Sequence, residues 1–434
     1  MCIRDRHTRT KIICTIGPST NSYKAIKELA LAGMNVVRIN MSHADHDSAK
    51  KIISYVTKFN DNNSSKVAVL LDTQGPEIRT GDRELPMDLK LGDMVSLTVR
   101  DEIDVETSSI KINYKDLIKS VKKGSRISVD NGLINFEVIS KDHETLECKV
   151  LDGGKLGSKR HVNLPGVRIN LPSITAKDID DIQFGITQKV DFIALSFVRN
   201  AKDVAELNKI LIDHKSSAKI ISKIENYDGL NNIDEICMSS WGVMVARGDL
   251  GIETSLTNLP NIQRKIMHSC AKHGKRSIVA THLLESMIKN PTPTRAEVTD
   301  IANAIYEGTD AVMLSGETSI GKYPVECIKF IKTIAQETEK FKTLGYEKNL
   351  ILNSDWKHIG QTAKNLAESI NANGIIAITR TGATASFIAS AKPNGVPIFT
   401  FTNNEITHRQ LSLVGSTIGF FLDDISNHDT VSYT

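Results

Sequence analysis

The chain has 434 residues, a length that predicts two or three domains. A hydrophobic content of 40% and a charged content of 24% are typical of globular proteins. The net charge of +3, without a long block of Lys and Arg, argues against nucleic-acid binding, and the lack of an apolar run of spanning length argues against a membrane segment.

The six cysteines are scattered, and none belongs to a C-x-x-C pair. We therefore expect no cysteine zinc site, and we expect each cysteine to be a small buried apolar side chain. The first ten residues are polar and charged, unlike a signal peptide, so we expect a cytoplasmic protein. Residues 1–6 and 431–434 look foreign to the rest of the chain, and we expect the natural protein to continue beyond both.

The chain begins with strands that alternate with helices. Strands are predicted at Lys11–Gly17, Asn35–Met41 and Val67–Leu71, because each is a short run rich in β-branched and apolar residues. Helical spacing predicts helices at Asn21–Ala32 and His43–Phe59. Three β-α units in succession predict a parallel sheet or a barrel.

The alternation of strands and helices stops in residues 76–170. Short alternating segments are separated there by turns rich in Gly, Asn and Asp, such as Asp130–Gly132. We interpret this region as a small all-β domain inserted after the third strand, where it can act as a lid. Its predicted strands are Met94–Val99, Ser108–Ile112, Arg126–Val129, Ile134–Val138 and Thr145–Val150.

The β-α pattern resumes in residues 171–343, whose five strands bring the total to eight. Together with residues 7–75 they predict a (β/α)8 barrel, with a doubly wound open sheet as the alternative. The five strands are Asp191–Phe197, Lys219–Ile224, Gly242–Ala246, Arg276–Ala280 and Asp310–Leu314. The helices are Ala176–Gln188, Ala201–Asp213, Leu259–His273, Thr294–Tyr306 and Pro324–Lys340. A further crossover helix is expected between the strands Lys219–Ile224 and Gly242–Ala246.

Residues 344–430 predict a C-terminal α/β domain that is incomplete. A helix is predicted at Ile359–Ile370, and strands are predicted at Ile375–Thr379 and Pro397–Thr402. The Thr- and Gly-rich turn Arg380–Thr384 between them suits either phosphate binding or ordinary capping at the start of a helix. We expect the final strands of this domain to be missing.

The principal candidate site lies where two neighbouring barrel strands end. Lys223 and Glu225 alternate at the end of one strand and therefore share a face, and Asp249 follows the next strand. Two carboxylates and a lysine, with no Cys or His nearby, suit a hard divalent cation and an anionic substrate. The alternatives are that Asp249 caps a helix and that Lys223 and Glu225 form a plain salt bridge.

Several stretches of the chain are similar to those of one known family. The chain resembles the pyruvate kinases from about residue 10 to residue 404, and that family's barrel, inserted β lid and C-terminal α/β domain agree with the predicted organisation. The matching stretches are Arg38–His43, Leu71–Gly81, Ser222–Asn226, Met244–Gly251, Leu284–Met287, Pro293–Glu297 and Met313–Thr318.

The resemblance implies transfer of a phosphoryl group from phosphoenolpyruvate to ADP, giving pyruvate and ATP. Glu225 and Asp249 would hold Mg²⁺ or Mn²⁺, Lys223 would contact the transferring group and the enolate, and Arg38 would also bind phosphate. Phosphoryl transfer needs positioning and charge neutralisation more than covalent chemistry, and these residues can supply both.

The resemblance also implies roles for the other strand ends. K⁺ would be held by Asn40, Ser42, Asp72 and Thr73. The substrate carboxylate would meet the amides of Gly248 and Asp249 together with Thr281, and the enolate would be protonated near Thr281 and Ser315. The nucleotide would be bound by Asn40, His43 and Arg79. Glu77 stands where potassium-dependent members of the family carry Glu.

Four residues depart from the family pattern. Gln74 stands where the family usually has Lys, Trp241 where it commonly has Asp, and His282 where it commonly has Gln. Asn200 stands where the family often has a Lys that contacts the nucleotide, and Lys202 could compensate for that Lys. The alternatives are a catalytically inactive, metabolite-binding homologue and another Mg²⁺-enolate barrel enzyme, such as a lyase or aldolase. The full-length family member is expected to be a homotetramer.

Overall fold

The computed structural model describes residues 8–99, 109–130, 132–167 and 171–422. Parts of some predictions lie outside these ranges. They are residue 7, the first residue of the predicted strand Ser108–Ile112, the turn residue Asn131, residues 168–170 and residues 423–430.

The first part of the barrel alternates strands and helices as predicted, with one shifted boundary. Its elements are β1 (Lys11–Thr15), α1 (Tyr23–Ala32), β2 (Val36–Asn40), α2 (His46–Asp61) and β3 (Ala68–Asp72). The helix expected to begin at His43 begins at His46, because the Asp45 side chain accepts a hydrogen bond from the Ser48 amide and caps the helix there.

The inserted region forms two sheets. Its elements are β4 (Met87–Leu89), β5 (Met94–Thr98), β6 (Ser109–Lys111), α3 (Leu117–Ser120), β7 (Arg126–Val129), β8 (Ile134–Lys141), β9 (Thr145–Asp152), β10 (Gly154–Leu156) and β11 (Val162–Asn163). Six strands pair in the order β11-β7-β8-β9-β5-β6, and β10 pairs with β4. Leu97, Phe136 and Val150 are completely buried in a core that belongs to this region.

The second part of the barrel supplies the remaining five strands. The predicted crossover helix is two short helices, Tyr227–Asn231 and Ile233–Ser239. The elements are α4 (Ala176–Thr187), β12 (Phe192–Leu195), α5 (Ala201–Asp213), β13 (Lys219–Ile224), α6 (Tyr227–Asn231), α7 (Ile233–Ser239), β14 (Gly242–Ala246), α8 (Arg247–Glu253), α9 (Leu259–His273), β15 (Arg276–Ala280), α10 (Arg295–Tyr306), β16 (Ala311–Leu314), α11 (Gly316–Ser319) and α12 (Pro324–Thr338).

The eight parallel strands close into a barrel in the order β1-β16-β15-β14-β13-β12-β3-β2. The predicted (β/α)8 barrel is therefore confirmed, and the open-sheet alternative is wrong. Alternate side chains such as Phe192, Ile221 and Met244 fill the barrel interior, and the others pack against the helices. Because the strands are parallel, all of their carboxyl ends meet at one rim.

The C-terminal region is a three-stranded parallel sheet with helices. Its elements are α13 (Asp355–Ser369), β17 (Ile375–Ile378), α14 (Ala383–Ser390), β18 (Ile398–Thr402), α15 (Glu405–Leu411) and β19 (Thr417–Phe421). The strands pair in the order β17-β18-β19. Two of them were predicted, and the third, β19, was not. Helix α13 begins one turn before the predicted Ile359.

Trp241 packs where the barrel meets the C-terminal region. It immediately precedes β14, and its ring centroid lies 5.1 Å from that of Phe192 inside the barrel. Trp241 also packs against the buried core of the C-terminal region. An aromatic side chain is thus accommodated here because it fills an apolar junction at the rim opposite the strand carboxyl ends.

A buried ion pair crosses the same junction. Asp191 accepts hydrogen bonds from Arg409 Nε at 2.9 Å and from the Val69 amide at 2.9 Å. Burial raises the pKa of Asp191 to about 6, although Arg409 opposes the shift. The pair therefore ties the C-terminal region to the barrel at an electrostatic cost. Among the helices of the described ranges, none is both long and apolar enough to cross a bilayer.

Candidate active site

Charged side chains from β2, β3 and β13 converge at the carboxyl rim of the barrel. Arg38 on β2 donates from Nε to Asp72 Oδ2 on β3 at 2.6 Å. Lys223 Nζ on β13 lies 3.1 Å from Asp72 Oδ1 and 3.0 Å from Glu225 Oε1. Two cations and two carboxylates therefore form one continuous network, and Lys223 and Asp72 are each buried.

The charge on Lys223 is stabilised by its neighbours. Burial alone would lower the pKa of Lys223, but the carboxylates of Asp72 and Glu225 outweigh it and raise the pKa above the usual lysine value. Lys223 Nζ also donates to Ser196 Oγ at 2.7 Å. The ammonium group is thus held in one position at the rim, where it can neutralise an anionic substrate.

Glu225 and Asp249 have the character of ligands for a hard cation. Burial raises the pKa of Glu225 to about 7, and the negative charge of Asp249 adds to the effect against the opposing charge of Lys223. Burial likewise raises the pKa of Asp249. Glu225 is almost completely buried, the Asp249 side chain is 32% exposed, and a divalent cation would relieve the repulsion between the two carboxylates, so these residues fit the predicted Mg²⁺ or Mn²⁺.

The predicted K⁺ ligands lie at the ends of β2 and β3. Asp72 Oδ1 is buried and pairs with the Lys223 ammonium at 3.1 Å, with no further hydrogen-bond partner among the described residues. Asn40 Oδ1 accepts from the Ser42 amide at 3.2 Å, and Thr73 Oγ1 donates to the Ala194 carbonyl at 3.2 Å. The carboxylate, amide and hydroxyl oxygens of these four residues are ligand types that suit a hard cation such as K⁺.

The turn after β15 is strained and firmly held. Thr281 and His282 have φ values of 69° and 53°, which are unfavourable for a β-branched residue such as Thr. Arg247 donates to the carbonyls of Ala280 and Thr281 and binds both carboxylate oxygens of Asp300. This brace from the start of α8 fixes Thr281 at the rim.

Thr281 is directly linked to the start of α8. The Gly248 amide donates to Thr281 Oγ1 at 2.9 Å, and Thr281 Oγ1 donates to the Ala280 carbonyl at 2.6 Å. The amide and the hydroxyl predicted to bind the substrate carboxylate are therefore adjacent. In this structure they bond to each other, so substrate binding there requires exchange of that hydrogen bond.

Ser315 follows β16 at the same rim. Its Oγ is buried and has no hydrogen-bond partner among the described residues, so it is free to bind water or substrate. The buried Glu317 carboxylate accepts from the amides of Ser315 and Leu284 and joins the turns after β15 and β16.

The lid contributes contacts over the rim. His161 Nδ1 lies 3.6 Å from Asp249 Oδ1, and Asn163 Nδ2 on β11 donates to Glu253 Oε1 on α8 at 3.1 Å. A cleft of ≈ 950 Å³ between the lid and the barrel is lined by Gly248, Asp249 and His282, among others. The cleft is open enough for a substrate to reach Asp249.

The predicted nucleotide residues are spread along one side of this rim. His43 is exposed on the turn after β2, and Asn40 is partly buried. Arg79 Nε donates to Glu77 Oε2 at 2.7 Å, so in this structure its guanidinium is paired with a carboxylate. A nucleotide phosphate would compete with Glu77 for Arg79.

Two of the residues that depart from the family pattern have local roles. Gln74 Nε2 donates to Glu77 Oε2 at 3.1 Å, beside Arg79. Asn200 caps α5, because its side chain accepts from the amides of Lys202 and Asp203. The side chain of Lys202 is exposed beside it.

Sequence reasoning missed several residues that position the network. Ser196 holds Lys223, and Thr15 accepts from Arg38 Nη1 at 2.9 Å. Both lie near the carboxyl ends of predicted barrel strands, which is a signal that could have identified them. The position of His161 opposite Asp249 carried no such signal, because it depends on how the inserted region folds back over the barrel.

Comparisons with known proteins agree over most of the chain. Residues 7–328 match the family model described as the pyruvate kinase barrel domain, and residues 357–433 match the pyruvate kinase alpha/beta domain. The chain is 43% identical over 411 residues to plastidial pyruvate kinase 2 of Arabidopsis thaliana, covering 93% of this chain and 70% of that protein.

A bacterial relative and a crystal structure give the same result. The chain is 43% identical over 413 residues to a pyruvate kinase of Staphylococcus aureus strain MRSA252, covering 94% of this chain and 70% of that protein. A crystal structure of a pyruvate kinase from Cryptosporidium parvum superposes with a TM-score of 0.94 and 36% identity, covering 99% of this chain and 90% of that one.

Proposed function

The chain belongs to the pyruvate kinase family, and we propose that the network of Arg38, Asp72, Lys223 and Glu225 is the centre of its phosphoryl-transfer site. The catalytic function is that of the family, a phosphotransferase reaction from phosphoenolpyruvate to ADP. The observation that carries the residue assignment is the buried Lys223 ammonium held within 3.1 Å of two carboxylates at the carboxyl rim of the barrel.

The chemistry requires negative charge to be neutralised while it moves. The bond between phosphorus and the enolate oxygen breaks, and a bond from phosphorus to a terminal oxygen of ADP forms. Lys223 and Arg38 bind the transferring group, and Lys223 also stabilises the enolate oxygen that leaves. Because both cations are already held by carboxylates and hydroxyls, little reorganisation is needed during the reaction.

The enolate then accepts a proton at its methylene carbon to give pyruvate. Thr281 and Ser315 stand at the ends of β15 and β16, where a hydroxyl or a bound water can deliver that proton. The unpartnered Ser315 hydroxyl and the braced Thr281 turn support this assignment. The amides of Gly248 and Asp249 would orient the substrate carboxylate beside Thr281.

Catalysis in this family depends on metal ions, and we assign the divalent and monovalent sites separately. Glu225 and Asp249 hold Mg²⁺ or Mn²⁺, which when bound neutralises phosphoryl and enolate oxygens. Asn40, Ser42, Asp72 and Thr73 hold K⁺. Asn40, His43 and Arg79 bind the nucleotide, and the lid that carries His161 limits access of water to the cleft.

The wider assignments complete the proposal. Residues 7–75 and 171–343 form the barrel, residues 76–170 the lid and residues 344–430 the C-terminal domain. We assign the protein to the cytoplasm, with no nucleic-acid or membrane partner, and the full-length form to a homotetramer. The residues matched by the family's barrel and alpha/beta domain models support the division into domains.

Metal binding tests the residue assignment. Glu225→Gln keeps the side-chain size and the acceptor for the Phe197 amide but removes one negative charge. We expect the Mg²⁺ concentration for half-maximal activity to rise at least about tenfold, with weaker Mn²⁺ binding in electron paramagnetic resonance titrations. Glu28→Gln on the exposed face of α1 makes the same acid-to-amide change away from the site; it is the matched control and should leave both unchanged. Wild-type Mn²⁺ affinity in Glu225→Gln would refute the assignment.

A further inference from the structure

Two cysteines that are distant in sequence meet between neighbouring helices. Cys237 lies on α7 and Cys270 on α9, and their sulfur atoms are 3.9 Å apart. Both side chains are buried, with exposures of 0% and 1%. The spacing of cysteines along the chain gave no indication of this contact, because it arises only when the two helices pack side by side on the barrel.

The other described cysteines have different surroundings. Cys327 Sγ lies 4.0 Å from the thioether sulfur of Met287, which cannot form a disulfide. Cys148 is buried in the lid region, and Cys14 is buried in the barrel. Among the five cysteines that the structure describes, Cys237 and Cys270 are the pair with hydrogen-bonded sulfur atoms.

The two thiols differ in acidity in a way that suits stepwise oxidation. The hydrogen bond from Cys270 lowers the pKa of Cys237, and Ser269 and Lys275 act in the same direction against burial. The same hydrogen bond and burial raise the pKa of Cys270. Cys237 therefore carries the greater thiolate character, and Cys270 remains a protonated neighbour.

We propose that Cys237 and Cys270 are a modification site, at which a hydroperoxide such as hydrogen peroxide converts the pair into a reversible disulfide. The Cys237 thiolate attacks one peroxide oxygen, the O–O bond breaks, and a sulfenic acid and hydroxide form. Cys270 sulfur then attacks the sulfenic sulfur, the S–O bond breaks, and the released hydroxide takes up the Cys270 proton as water. Overall, two thiols lose two electrons and two protons, and one peroxide is reduced to two waters.

The packing makes the final bond reachable. A disulfide bond is about 2.05 Å long, so the sulfurs must approach by about 1.9 Å from their present separation. The sulfur atoms are already in contact, and the helices that carry them pack directly against each other. Because both sulfurs are buried, the peroxide gains access only when α7 opens locally, and oxidation should be slower than that of an exposed thiol.

The disulfide bond would join α7, which precedes β14 in the sequence, to α9, which follows it. Helix α7 leads through Ser240 and Trp241 into β14, and α8 and α9 follow that strand. Cys237 and Cys270 lie outside the phosphoryl-transfer network, so replacing either one tests the modification without altering a proposed catalytic residue.

Peptide mapping of the intact protein tests the proposal. The folded chain is treated with a small excess of hydrogen peroxide, the remaining thiols are blocked, and the chain is digested with trypsin. We expect a cross-link between the peptides of residues 224–247 and 266–272, with a mass about 2 Da below the sum of the two peptides. Dithiothreitol should release both peptides.

Matched variants separate this pair from other oxidation. Cys237→Ser and Cys270→Ser should each abolish the linked peptide, and Cys327→Ser should leave it unchanged. Comparable thermal unfolding midpoints will show that the variants fold, and either of the two serine variants suffices if the other does not. Formation of sulfinic acid on Cys237 without a linked peptide, or linkage of Cys237 to a different cysteine, would overturn the proposal.

Discussion

Replacing Lys223 by Met should abolish most of the activity while leaving the fold intact. Lys223 pairs with both carboxylates of the network, at 3.0 Å from Glu225 and 3.1 Å from Asp72, and its charge is lost in the variant. Loss of one preorganised hydrogen-bond donor costs about 2.7–4 kcal/mol, and an arginine that neutralises a transferring phosphoryl group contributes about 10³- to 10⁵-fold. We therefore expect kcat to fall by about 10³-fold or more, equivalent to about 4 kcal/mol.

The carboxylates left behind retain other partners. Asp72 keeps its bond to Arg38 at 2.6 Å, and Glu225 keeps the Phe197 amide at 2.6 Å. Glu225 can also take up a proton, because its pKa is already about 7. The thermal unfolding midpoint should therefore remain close to that of the wild type.

Steady-state rates of pyruvate formation measure the effect. Lys219→Met, at the opposite end of β13, is the matched control and should remain within about twofold of the wild-type kcat. A Lys223→Met variant with kcat within about tenfold of wild type would refute the role assigned to this residue.

Three further predictions follow from other parts of the structure. Replacing K⁺ by tetramethylammonium should lower kcat/KM at least about tenfold, because the site that includes Asp72 Oδ1 loses its proposed cation. Undiminished activity would contradict this prediction. Trp241→Ala should destabilise the fold by about 3 kcal/mol in urea unfolding while KM is unchanged, and a loss below about 1 kcal/mol would contradict the packing argument. Arg409→Ala should lower the free energy of unfolding by about 3 kcal/mol near pH 7.5 but by less near pH 5. Asp191 has a pKa of about 6, so near pH 5 it is protonated and no longer needs a cation. Equal losses at both pH values would contradict this reasoning.

The direction of the Asp191 effect follows from its raised pKa. The folded protein binds the Asp191 proton more tightly than the unfolded chain, whose carboxyl has a pKa of about 3.8. The contribution of this group to stability is therefore fully present below pH 4 and is lost as the pH rises through 6. This is the opposite of the usual behaviour of a carboxylate in an exposed ion pair.

The main features of the site were predictable because they depend on local patterns and a repeated architecture. Alternation along β13 places Lys223 and Glu225 on one face, and parallel strands bring Arg38 and Asp72 to the same rim. The barrel follows from eight β-α units, so counting strands was enough to place these residues near each other.

Other features depend on contacts that are not encoded locally. Trp241 had no explanation in the sequence, and it is accommodated because the C-terminal region covers the bottom of the barrel beside Phe192. The contact of His161 with Asp249 depends on the position of the lid. Helix α15 and strand β19 were missed because their segments are short and lack a clear period.

The most direct test of the central claim is a coupled assay of the full chain with phosphoenolpyruvate, ADP, Mg²⁺ and K⁺. Lactate dehydrogenase and NADH report pyruvate, and luciferase reports ATP. We expect equal formation of pyruvate and ATP, dependent on both substrates and on Mg²⁺, and the loss of both products in Lys223→Met. Failure of the folded wild-type chain to form either product, or equal rates in the wild type and Lys223→Met, would contradict it.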